Sequence, residues 1–179
     1  GRYTLSEAFH ANHHALIHRL ETYYPAVDTE TPINSPLPRT PNLAPNSDGI
    51  ELKLTAADGR GLLYDRDVVA FYGDPAWSAK MAAMPKAYDQ ELSVNAGTYI
   101  FTVTPNKGAD SFKPINTNGA QRGWRPIVHF LPHRVGDIKI VSGQELNPVV
   151  TDDFILIPNP RECDPEKDYR VVFEATAVK

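Results

Sequence analysis

At 179 residues the chain is long enough to bury a real core, and its 41% hydrophobic and 22% charged content is that of a globular protein rather than a disordered one. A formal net charge of −4, with Lys and Arg scattered singly, gives no electrostatic footprint for nucleic acid or an anionic lipid surface, and no apolar run approaches the ~20 residues of a membrane-spanning helix. Sixteen prolines against eleven glycines favour a loop-rich β architecture, and Cys163, the only cysteine, rules out an internal disulfide and a cysteine-based metal site.

The chain opens on Thr4-Leu5-Ser6-Glu7, a capping-box sequence in which the Thr4 hydroxyl reaches the Glu7 amide and the Glu7 carboxylate reaches back. Leu5, Phe9, Asn12, Leu16, Leu20 and Tyr23 then recur at helical spacing until Pro25, which predicts an amphipathic helix over about 5–24. Five prolines between 32 and 45 make 26–48 a surface connection. The alternation Ile50-Glu51-Leu52-Lys53-Leu54, the turn pair Asp58-Gly59 and the run 61–64 predict a β-hairpin. A buried strand over Val68–Tyr72 should stop at Gly73-Asp74-Pro75, followed by about two helical turns over 76–84. Beyond Tyr88 the pattern predicts strands at 91–94, 98–104, 126–131, 137–141, 153–157 and 169–177. Turn signals separate most of them, at 95–97, 106–108, 118–119 and 142–143.

Residues able to do chemistry fall in four groups. His10, His14 and His18 share a helix face through their spacing of four, a pattern that can capture a transition metal. That face lies opposite the Leu16/Leu20 stripe, and the helix has no HExxH arrangement. A solvated face is therefore the first expectation and adventitious metal capture the second. Cys163 lies between Glu162 and Asp164, where acidic neighbours disfavour a second negative charge, and nothing in the sequence brings His129 or His133 to it. Asp58, Asp65, Asp67 and Asp74 carry the oxygen chemistry of a calcium site at a spacing that matches no defined loop, so Asp74 reads first as a turn cap. Of the aromatics Trp77, Trp124, Tyr99, Phe101 and Tyr72, most are expected in the core; Trp124 is the candidate for a ligand surface, because it stands in a loop between Arg122 and Arg125, although a Trp folded back over the sandwich is the first expectation.

The run Val68-Val69-Ala70-Phe71-Tyr72-Gly73-Asp74-Pro75-Ala76, with an amphipathic helix upstream and β structure downstream, resembles the end of the catalytic domain in gingipain-type cysteine peptidases. There the last core strand of a caspase-like domain closes on a Gly-Asp-Pro turn, and an immunoglobulin-like β-sandwich follows. The resemblance implies that residues 1–84 are the helix, Pro-rich connection and terminal strands of such a domain, and that 85–179 form the sandwich. It further implies a larger secreted or periplasmic protein whose catalytic Cys and His lie upstream of Gly1. The expected fold class is α+β, mainly β: an immunoglobulin-like β-sandwich of about seven strands with one long N-terminal helix packed on it through Phe9, Leu16 and Leu20. The expected role is non-catalytic, a structural and interaction region needing no cofactor, whose partner is the remainder of the polypeptide. The alternative is a free-standing module that binds carbohydrate or peptide around Trp124.

Overall fold

The computed structural model describes residues 3–27, 43–68, 70, 73–74, 76–78, 85–113 and 125–178. Among the described residues three α-helices, α1 (Leu5–Tyr23), α2 (Ser47–Glu51) and α3 (Ala56–Val68), precede seven strands. The strands are β1 (Tyr88–Asn95), β2 (Thr98–Pro105), β3 (Ile127–Phe130), β4 (Val135–Ser142), β5 (Val149–Val150), β6 (Phe154–Ile157) and β7 (Tyr169–Ala177). The chain is thus α+β, with a larger helical share than a single N-terminal helix. It divides into two compact units, a helical one within Gly1–Met81 and a β one within Ala82–Ile115 and Gly123–Lys179.

In the helical unit the capping box forms: the Glu7 N–H donates to Thr4 Oγ1 (3.3 Å) and the Thr4 N–H donates to Glu7 Oε2 (2.7 Å). Leu16 and Leu20 pack with Tyr24, Leu43, Leu54 and Leu63, a cluster within the helical unit itself. Each fully buried side chain of this kind contributes about 1.5–3 kcal/mol. Asn46 joins two elements. Its Oδ1 accepts the Gly49 N–H (2.9 Å) to cap α2, while its Nδ2 donates to Thr22 O (2.8 Å) at the end of α1.

The hairpin expected across 50–64 is not there; helices α2 and α3 occupy that stretch. The reason lies in Thr55-Ala56-Ala57-Asp58, a second capping box: Thr55 N–H and Oγ1 both donate to Asp58 Oδ2 (2.9 and 2.7 Å), and the Asp58 N–H donates to Thr55 Oγ1 (3.3 Å). Asp58-Gly59, read as a turn, is the first turn of a helix. Gly59 is needed there for a different reason, since a Cβ would fall 2.6 Å from the Tyr24 ring. Helix α3 runs through Val68, so the strand expected from Val68 does not begin there; Val69, Phe71 and Tyr72 lie outside the described residues. The helix expected from Ala76 does not start at that point either, because 76–78 are turn and irregular chain.

In the β unit the six predicted strands are present and β5 is added. One sheet has the order β1-β2-β7-β4 and the other β3-β6-β5, antiparallel throughout. Strict alternation on β2 and β7 turns Tyr99, Phe101 and Val103 to the same buried face as Tyr169, Val171, Phe173 and Ala175. These meet Ile127, Val135, Ile155 and Ile157, so one core cluster draws on both sheets. The β1–β2 turn has positive φ at Ala96 (48°) and Gly97 (83°), the pattern of a two-residue type I′ connection.

Candidate functional site

The histidines of α1 form a ladder rather than a chelate. His10 and His14 rings lie 6.4 Å apart, Phe9 stacks on His13 at 6.4 Å, and His18 Nδ1 is 3.5 Å from Thr22 Oγ1. His10 is exposed, whereas His14 and His18 are half-buried. His13, which the spacing argument left out, is the electrostatically distinctive one. Burial first, then the positive neighbours His10 and Arg66, hold it below the ordinary 6.5, and Asp67 acts in the opposite direction. Arg66 itself is locked to Asp67 by two bonds, Nε to Oδ1 (2.6 Å) and Nη2 to Oδ2 (2.8 Å), with the Arg66 side chain only 6% exposed. His18 is also lowered, chiefly by burial. Tyr24 is pushed up to about 12 by burial and by the Asp58 carboxylate, and its hydroxyl donates to Thr55 O (2.9 Å).

The carboxylates considered for calcium have separate local partners: Asp58 bonds Thr55, Asp67 bonds Arg66, and Asp74 Oδ1 accepts the Ala76 N–H at 2.9 Å. Among the described residues no group of three or more His, Cys, Asp or Glu is arranged to hold a metal ion. At the Gly-Asp-Pro turn, Gly73 has φ 146°, a region that L side chains rarely adopt. The Asp74–Ala76 bond is that of an Asx-turn. Trp77, 56% exposed, follows it, and its carbonyl accepts the Leu5 N–H (2.7 Å) at the start of α1. Pro75 lies outside the described residues.

The β unit brings together residues that are far apart in sequence. Tyr99 Oη and His133 Nε2 are 2.7 Å apart, and the Tyr99 ring stacks on Phe173 at 4.8 Å. His129 leans on Phe101 (5.3 Å between ring centres) with Nδ1 3.4 Å from Gln90 Oε1. At the other end of the same face, Tyr169 Oη accepts the Asp164 N–H (2.9 Å) and lies 3.5 Å from Glu162 O. It thereby fixes the turn that carries Cys163, whose half-buried side chain packs against the core. Burial, with the neighbouring thiol adding to it, raises the Tyr169 hydroxyl above its ordinary value. Tyr99 pairs with Phe173 and Val103 with Tyr169. The two tyrosine ties are therefore four residues apart along β7, roughly 13 Å of strand. Arg134 bonds the Asp152 carboxylate through both Nε and Nη2, and this pairing raises the guanidinium further.

Arg125 is described and exposed, whereas Arg122 and Trp124 lie outside the described residues. Tyr99 and Phe101 are core, at 1% and 0% exposure, as expected for most of the aromatics. Among the described residues no helix is long and apolar enough to cross a membrane, and no buried side-chain nitrogen or oxygen lacks a hydrogen-bond partner. Compared with protein-family models, with curated proteins and with solved structures, the chain gives no match.

Proposed function

We propose that this chain is a non-catalytic structural and interaction region, the C-terminal part of a larger secreted gingipain-like protein, with its β unit acting as an immunoglobulin-like sandwich. The observation that carries the reading is the separation of His133 from Cys163. A thiol nucleophile needs its imidazole within hydrogen-bond reach. Here His133 is bonded to Tyr99, opposite Phe173 in the middle of β7, and Cys163 sits on the turn held by Tyr169, four residues away at the start of that strand. Both serve as fastenings at the margin of the core. What also supports the reading is coarser: helix α1, the Gly73-Asp74 turn and then an antiparallel β unit follow in the implied order, although α3 runs through Val68 where the resemblance implies the start of a terminal strand.

Two measurements test it. The coding region upstream of Gly1 should encode a caspase-like domain with a Cys and His pair or its remnant. The purified chain should hydrolyse no peptide substrate, with or without thiol activation. Peptide turnover that Cys163→Ser and His133→Ala both abolish would overturn the non-catalytic reading, and an upstream region of unrelated character would overturn the gingipain-like one.

A further inference from the structure

Among the described residues β1 is an outer strand of the four-stranded sheet. Two backbone bonds fix which way its polar groups point: Asn106 N–H to Ala87 O (2.9 Å) and Ala175 N–H to Gly97 O (2.9 Å). In an antiparallel ladder bonding pairs alternate, so Glu91, Ser93 and Asn95 bond across to β2, while Leu92 and Val94 turn their N–H and C=O away from it.

The two edges of this sheet differ. Edge strand β4 has register breaks between Gly136 and Lys139 and between Ile140 and Ser142, Asp137 at φ 52°, and Lys139 midway, all features that hinder addition of another strand. β1 keeps eight consecutive pairs with β2, without a bulge, a proline or a lysine. Val94 on that strand is 42% exposed. Such an edge is a template for strand pairing.

Beyond its structural role, we infer that the β1 edge of this chain pairs antiparallel with the β1 edge of a second copy, about a two-fold axis at Ser93. Outward-facing residues must oppose outward-facing residues, which limits the axis to a few positions. An axis at Glu91 sets two like carboxylates against each other, which is destabilising. An axis at Leu92 sets exposed Val94 against Gln90 of the other copy. The axis at Ser93 places Leu92 against Val94 in both halves and gives each Glu91 carboxylate an Asn95 amide opposite it. The edge is therefore self-complementary in this register, as an isologous interface requires. Pairing joins two four-stranded sheets into one of eight.

Cysteine cross-linking of the full chain, in a Cys163→Ala background, reads the register directly. At the axis the two Ser93 residues form a non-hydrogen-bonded pair with Cα atoms about 4.5 Å apart, within the range a disulfide spans. Ser93→Cys should oxidise to a covalent dimer. Glu91→Cys should do so at least tenfold more slowly alone, yet join readily to a chain carrying Asn95→Cys. Light scattering should show a dimer that Leu92→Pro dissociates, since that N–H points outward and its loss spares the β1–β2 ladder. Val94→Lys makes the same test should the proline variant lose its circular dichroism. A chain monomeric at every concentration, cross-linking of Glu91→Cys as fast as Ser93→Cys, or a dimer that survives both Leu92→Pro and Val94→Lys would overturn the inference.

Discussion

Tyr99 and His133 are held together at 2.7 Å, the tyrosine ring lying flat against Phe173 and its hydroxyl meeting the imidazole Nε2. The bond ties the loop between β3 and β4 to the centre of the four-stranded sheet. Tyr99→Phe keeps the ring and removes only the hydroxyl, so it should destabilise by about 0.5–1.5 kcal/mol in urea unfolding, the net worth of one hydrogen bond. Tyr99→Ala should cost several-fold more. Equal losses for the two variants would show that the hydroxyl–imidazole bond, rather than the ring, dominates the site.

Leu20 is fully buried among Leu16, Tyr24, Leu54 and Leu63. Leu20→Ala should cost roughly 2–5 kcal/mol through lost transfer energy and the cavity left behind. The measurement is the unfolding midpoint, followed by helix signal; an unchanged midpoint would mean that the α1 stripe is not the core of this unit.

Acid should weaken the helical unit. His13 and His18 are held below the ordinary 6.5 in the folded chain, so the unfolded chain binds more protons once the pH falls through that value. Their contribution is fully present above pH 6.5 and is lost as pH falls toward the lowered folded values. Stability should therefore decline between about pH 7 and 5. The His13→Gln variant should show a shallower decline. A flat profile over this range, or one that rises on acidification, would contradict the assignment.

Much of the β unit was legible in the sequence because its signals are local. Period-two alternation and the turn pairs placed six strands within a few residues, and only β5, two residues long, has no period to read. The hairpin expected at 50–64 failed where two local signals competed: Asp58-Gly59 also closes a Thr55–Asp58 capping box, and burial of Leu54 and Leu63 against Tyr24 decides for the helix. The Tyr99–His133 tie was invisible for a different reason, since its members are 34 residues apart and meet only when two strands and a loop are assembled. The Arg66–Asp67 pair beside His13 had no periodic signal either, since adjacent residues do not share a helix face and the pair reaches His13 only once α1 and α3 pack together.

The β1–β2 turn carries avoidable strain. Ala96 sits at φ 48°, where a Cβ is disfavoured, between Asn95 and Gly97. Ala96→Gly or Ala96→Asn should raise stability by roughly 1 kcal/mol, the Asn variant creating the Asn-Gly pair that type I′ turns favour. A fall in the unfolding midpoint for both would show that the turn does not adopt this conformation in solution.

A double-mutant cycle on unfolding free energy, with His133→Ala, Cys163→Ala and both together, reads whether His133 and Cys163 are two independent fastenings, as proposed, or one catalytic pair. Independent fastenings should give additivity within about 0.3–0.5 kcal/mol, as for distant sites with no shared partner. A coupling energy clearly beyond that, up to about 3 kcal/mol as for residues in direct contact, would show that the two side chains work as a pair.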